Sequence, residues 1–230
     1  MTRARSMISR RRLFARAGAL ALASSLIPLL RATAAAPPKA VALSADQKAD
    51  VDRVQAYLNG IRTLASRFEQ VSGEGNTATG KLWLARPGRM RFEYDAPVPV
   101  LLVANGKNIF YYDKELQQVS ELRVEDTPAG FLLRDQITLS GDVTLTRFEH
   151  KPGAIRLTMV QTSEPGQGSA TLALMDKPME LRQWTIVDPQ QKEVTVSLAD
   201  PQYGAPVDEK LFYWTDPRPS GGAGGRGSVR

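Results

Sequence analysis

The chain has 230 residues, 42% of them hydrophobic, with no cysteine, one histidine and 30 basic against 24 acidic side chains. The absence of thiols excludes a disulfide framework, a cysteine-ligated zinc or iron–sulfur site and lipid attachment through cysteine; the lone His150 excludes a histidine-pair metal site. The net charge of +6 does not mark a nucleic-acid binder, because residues 1–36 hold seven arginines and no acid, leaving 23 bases against 24 acids in the remainder. So neutral a body lacks the counterion-release drive that binding to DNA or RNA needs, and no nucleic-acid partner is expected.

The first 36 residues read as an export signal. Arg3, Arg5, Arg10, Arg11, Arg12 and Arg16 lead into the apolar stretch Ala17–Leu30, which is shorter than the ~20 residues of a spanning helix and ends in Ala-x-Ala patterns at Ala32-Thr33-Ala34 and Ala34-Ala35-Ala36. Arg11-Arg12-Leu13-Phe14 followed by Arg16 resembles a twin-arginine signal, with the ordinary secretory route left open. The periplasm of a Gram-negative cell is the expected destination, with a folded domain over 37–219 and a disordered Gly-rich tail over 220–230.

After the linker Ala35–Val41, Ser44 and Gln47 fit a capping box, and Val51, Val54, Leu58 and Ile61 recur at helical spacing until Asn59-Gly60 supplies a stop. The period then changes to two. Strands are expected over Ala65–Val71, Gly80–Leu84, Gly88–Tyr94, Val100–Ala104, Lys107–Tyr112 and Gln117–Leu122, then Val143–His150, Ala154–Gln161, Ser169–Leu174, Leu181–Val187 and Glu193–Ala199. Asn105-Gly106, Pro152-Gly153 and Asp188-Pro189 mark turns between them. Between the two sets, Thr127-Pro128 caps a short apolar helix through Phe131, Leu132 and Leu133, and Asp208–Leu211 forms a last turn.

About eleven meandering strands with one leading helix make a mostly β fold. The sheet is single, antiparallel and curved into an incomplete barrel, with helices on its concave side. Met90, Phe92 and Tyr94 share one face of their strand and Arg89, Arg91 and Glu93 the other, which should meet water. Ile155, Leu157 and Met159, and Val194, Val196 and Leu198, repeat the alternation. Such a sheet has more apolar concave surface than two helices cover, and the remainder is a candidate pocket.

No catalytic apparatus emerges. His150 at a strand end reads as a surface turn residue, no nucleophile elbow is present, and Gly73-Glu74-Gly75 lacks the lysine and helix of a phosphate cradle. Neither an enzyme nor any cofactor or metal is expected.

The run Gly80-Lys81-Leu82-Trp83-Leu84-Ala85-Arg86-Pro87-Gly88 resembles the G-x-L-W-x-x-R-P signature of the periplasmic outer-membrane lipoprotein carrier (LolA) family. The resemblance extends over residues 46–217 through Phe68-Glu69-Gln70, Leu102–Gly106 before Tyr111-Tyr112-Asp113, Thr127-Pro128, Leu181-Arg182-Gln183-Trp184 and Leu211-Phe212. It implies a helical lid over a hydrophobic cavity in an incomplete β-barrel. It also implies acylated lipoproteins as cargo, taken from an inner-membrane ABC transporter and passed to an outer-membrane lipoprotein receptor by a monomeric carrier. Arg86 then corresponds to a latch whose guanidinium bonds carbonyls of the lid, Phe131–Leu133, while Met90 lies at the mouth and Phe92 in the lining. The candidate lipid-binding residues are Phe68, Met90, Phe92, Tyr94, Phe131, Leu132, Leu133, Leu157 and Met159. Arg89 and Arg91 are read as facing an acidic partner. A sensor of lipids or lipoproteins on the same half-barrel is the alternative, and a lipid-acting enzyme using His150 a more distant one. The related receptor class needs a cysteine that this chain lacks.

Overall fold

The computed structural model describes residues 38–218; the export segment and the Gly-rich tail read from the sequence lie outside them. Helix α1, Ala45–Gly60, starts at the expected capping box, with the Ser44 hydroxyl accepting from the Gln47 amide at 3.2 Å and the Ser44 amide donating to Gln47 Oε1 at 2.9 Å. Its buried face is Val51, Val54 and Leu58. The stop differs from the expected one. Gly60 remains helical, and the chain leaves the helix at Ile61, which is extended and donates back to Leu58 O at 3.2 Å.

Eleven strands follow: β1 Thr63–Ser72, β2 Thr77–Ala85, β3 Arg89–Tyr94, β4 Val100–Asn105, β5 Asn108–Asp113 and β6 Gln118–Arg123, then β7 Val143–Lys151, β8 Ala154–Gln161, β9 Ser169–Met175, β10 Glu180–Val187 and β11 Glu193–Tyr203. All pair antiparallel in one sheet of order β6-β5-β4-β3-β2-β1-β11-β10-β9-β8-β7, so only β1 and β11 join strands distant in sequence. The free edges are β6 and β7, and the barrel is open. Register shifts at Ala65/Arg67, Leu145/Arg147 and Leu181/Gln183 add the local bending that curves the sheet. At the β4–β5 turn Gly106 takes φ 105°, where a side chain would be strained, and Asn105 Oδ1 accepts from the amides of Lys107 and Asn108.

The concave face carries one continuous core that includes Leu64, Phe68, Leu82, Phe92, Ile155, Leu157, Leu172 and Trp184, closed by α1 and by the 3-10 segment Pro128–Leu133, here the cover segment. Thr127 does not cap that segment; its hydroxyl donates instead to Val124 O at 2.9 Å. The opposite face of β3 also departs from expectation, because a C-terminal turn over Glu209–Phe212 folds against it. Arg91 bonds Glu93 and donates to Leu211 O at 3.1 Å, Arg89 pairs with Glu209 at 3.0 Å and stands 5.7 Å from the Phe212 ring, and Trp214 stacks on Phe110 at 4.9 Å. The two arginines are thus largely engaged within the chain, because apolar side chains on the convex face of β4 and β5 need a cover of their own.

Candidate lipid-binding chambers and their cover

The alternation of β3 places Met90, Phe92 and Tyr94 toward α1. Together with Leu58 of α1, Ile61 just beyond it, Gln70, Leu132, Trp184, Ile186 and neighbouring apolar groups they enclose a chamber of about 160 Å³. Phe68 stands behind them, edge-on to Phe92 at 4.9 Å and to Tyr94 at 5.2 Å. Phe92 in turn meets Trp184 edge-on at 6.4 Å. Tyr94 donates to Gln70 Oε1 at 2.7 Å, and burial pushes its phenol up to about 12, so this polar tip stays neutral and internally bonded.

A second chamber of about 480 Å³ lies on the other side of the cover segment, between the β2–β3 and β4–β5 turns and the ends of β7, β8 and β9. The predicted site residues divide between the two. Met90, Phe92, Tyr94, Leu132 and Arg86 line the smaller chamber; Phe131, Leu133 and Met159 line the larger. Phe68 and Leu157, both fully buried, line neither.

Arg86 is 6% exposed and its partners are not those the resemblance implies. Its guanidinium donates through Nε to Ile61 O at 2.6 Å and through Nη2 to both Leu58 O and Ile61 O. The last carbonyls of a helix lack intrahelical donors and sit at the negative end of its dipole, so they draw the cation. The cover carbonyl is taken by backbone, Gly88 N donating to Leu133 O at 2.7 Å. Nη1 of Arg86 has no partner, and burial pulls the guanidinium below its ordinary range, with nearby Arg62 adding to the effect.

Sequence reasoning missed the polar side chains that rivet α1. Asn59 accepts from Ile137 N at 2.8 Å and donates to Ile137 O at 2.9 Å, Gln55 accepts from Leu139 N at 2.8 Å, and the Tyr57 hydroxyl accepts from Leu181 N at 3.0 Å. Gln55 and Asn59 lie four residues apart on one helix face, a spacing that could have exposed them. The far end of α1 is held by His150, whose Nδ1 lies 2.7 Å from Asp50 and whose Nε2 lies 3.4 Å from the buried Asp176, while Arg53 bonds both carboxylates. His150 is therefore a tether of the helix rather than a solvated turn residue. Among the described residues no cluster of three or more His, Asp or Glu could hold a metal, and no helix is long and apolar enough to cross a membrane.

The family described as outer membrane lipoprotein carrier protein LolA matches residues 59–215, more than half of the chain. The chain belongs to the LolA family. A relative from Methylococcus capsulatus named outer-membrane lipoprotein carrier protein is 28% identical over 174 residues, covering 72% of this chain and 83% of the relative. A relative of the same name from Pseudomonas aeruginosa PAO1 is 37% identical over 109 residues, 44% of this chain and 49% of the relative. The chain thus spans about half the length of several curated relatives it matches, among them the Pseudomonas protein at 49%. Among solved structures, an uncharacterized conserved protein from Thermus thermophilus aligns with a TM-score of 0.44 at 12% identity, over 74% of this chain and 94% of that one. A LolA superfamily protein from Nitrosomonas europaea aligns with a TM-score of 0.39 at 8% identity, over 71% and 97%.

Proposed function

We propose that this member of the LolA family binds the acyl chains of lipoproteins released from the inner membrane and delivers them across the periplasm to the outer membrane. The observation that carries the reading is the small apolar chamber beneath a cover: its volume is about 160 Å³, the size of a cavity that admits one benzene ring (~150 Å³), so an acyl chain enters this chamber only if the cover moves. The membership of a family described by lipoprotein carriage supports the cargo class.

Release is the physical difficulty of such a carrier. Burial of hydrocarbon is worth about 0.8 kcal/mol per methylene, so several acyl chains would supply more than the ~18–21 kcal/mol at which non-covalent affinity saturates. A cover that already buries Phe131, Leu132 and Leu133 in the empty state sets an opening penalty against that gain and lowers net affinity. On this reading an inner-membrane ABC transporter drives loading, an outer-membrane lipoprotein receptor accepts the cargo, and the carrier works as a monomer.

Native mass spectrometry of the protein isolated from periplasm should show a bound acylated polypeptide, and outer-membrane vesicles should remove it. Protein that never carries an acylated polypeptide sinks the proposal; protein that carries one but never surrenders it to vesicles fits a sensor instead.

A further inference from the structure

The larger chamber has a different character from the smaller one. Its floor is apolar, formed by Phe131, Leu133, Val143, Met159 and Ala170. Its rim carries Lys107, Arg123, Arg134 and Glu125; Arg123 is balanced by Glu125 at 2.9 Å and Asp126 at 2.8 Å, and Arg134 by Asp142 at 3.3 Å, so the rim is polar without a strong field of one sign. An apolar floor beneath a wet, charge-compensated rim suits an amphiphile whose chain supplies the binding and whose head stays in water.

Building on the carrier reading, we propose that this chamber is a second hydrocarbon site that takes one alkyl chain of an amphiphile while the cover segment is still closed, and that it fills before the smaller chamber does. Volume is the first argument. At about 480 Å³ it falls within the range of ordinary ligand pockets, ~300–1,000 Å³, whereas the chamber beneath the cover does not. The second is its walls, which are set by close backbone approach. A Cβ on Gly130 would stand 2.1 Å from Val124 O and one on Gly88 2.6 Å from Gly106 O, so these turns hold their spacing without side chains that could collapse inward. The third is the shared partition. Phe131 and Leu133 face the larger chamber and Leu132 the smaller, so a chain seated in the first touches the cover from the side away from the second.

Met90 and Met159 report the two chambers separately, which makes methyl NMR of methionine-labelled, full-length exported protein the natural test. Titration with laurate below its micelle concentration should shift the Met159 methyl at lower ligand than the Met90 methyl. Ala170→Leu, which fills the floor, should raise the laurate needed to half-shift Met159 by about tenfold, the equivalent of roughly two methylenes of lost burial. Unchanged Met90 and Met175 methyl positions before titration establish that the variant is folded; should it fail to fold, Gln161→Trp at the mouth carries the same expectation. Laurate moving Met90 but not Met159, or moving Met159 equally in wild type and in the folded blocking variant, overturns the inference and leaves the carrier reading standing. If neither methyl responds to laurate or to a triacylated lipopeptide, both readings fall.

Discussion

Replacing Arg86 by leucine separates the latch's contribution to folding from its contribution to release. The guanidinium bonds two carbonyls, Leu58 O and Ile61 O, at the end of α1. Charge-assisted hydrogen bonds are worth about 1.5–3 kcal/mol each, giving a gross loss of roughly 3–6 kcal/mol. Against this stands the desolvation of a cation that is 6% exposed with one unpaired Nη, a penalty of several kcal/mol that leucine removes. The loss should still win, because Leu58 O keeps its backbone donor from Ile61 at 3.2 Å whereas Ile61 O would lose the guanidinium and remain buried without a replacement. A net destabilisation of about 1–3 kcal/mol is expected, equivalent to a fall in Tm of roughly 2–12 °C for a domain of this size. Urea denaturation gives the first number, and amide exchange should show lost protection in the last turn of α1 while the strands keep theirs. In a handover assay the variant should load cargo and release it poorly, since a loosened end of α1 offers Leu132 of the cover a poorer seat on Leu58 and Ile61 and so weakens the closed state that competes with cargo. Unchanged stability and unchanged exchange in that turn would refute the assigned role of the α1 carbonyls; normal handover would refute the latch.

Two further outcomes follow from the packing. A Cβ at position 80 would lie 2.2 Å from Glu93 O and 2.6 Å from the Phe68 ring, so Gly80→Ala should cost about 1–3 kcal/mol or more, whereas Gly60→Ala meets open space at a helical position and should stabilise by about 0.4–1 kcal/mol; equal denaturation midpoints for the two variants would contradict the register of β2 on β1. At Asp176, the hydrogen bond from Arg53 holds the carboxyl below its usual range, with His150 adding to the effect. A depressed folded value means that the tether's contribution is complete above the ordinary carboxylate pKa of ~4 and is lost as pH falls through the lower folded value. The wild-type Tm should therefore fall more steeply below about pH 4 than that of Asp176→Asn, and parallel curves across that window would exclude the tether as an acid-sensitive support.

Period-two alternation and turn residues located all eleven strands, since side chains on a half-buried sheet are sorted by face and the sort is visible in one dimension. The boundaries moved by a few residues where pairing rather than polarity decides them, as in β11, which continues to Tyr203 because β1 pairs with it as far as Leu64. What could not be read were contacts between residues far apart in the chain. The capture of the α1 carbonyls by Arg86, the partnership of His150 with Asp50 and Asp176, and the C-terminal cover on Arg89 and Arg91 each join separations of about 25 residues or more. None leaves a periodic trace. The division of the cavity was equally hidden: Phe131, Leu132 and Leu133 are three adjacent apolar residues, and only the 3-10 geometry turns the middle one to the opposite side.

The two covering elements are held very unequally, and that inequality bears on which of them yields to cargo. Helix α1 is fixed at its start by Asp50 and Arg53, along its length by Gln55, Tyr57 and Asn59, and at its end by Arg86. The cover segment is tied to the sheet through Gly88 N to Leu133 O, and the turn before it through Val124 N to Lys107 O. Its main anchor is burial of Phe131, Leu132 and Leu133, at 7%, 9% and 2% exposure. Exposing three such side chains costs roughly 4.5–9 kcal/mol, which keeps an open empty carrier below about one molecule in a thousand. An acyl chain repays that penalty by covering the same surfaces, and no hydrogen bond of α1 has to break. Cargo entry is therefore cheapest by displacement of the cover against a fixed helix, with Arg86 holding the helix that remains rather than the segment that moves.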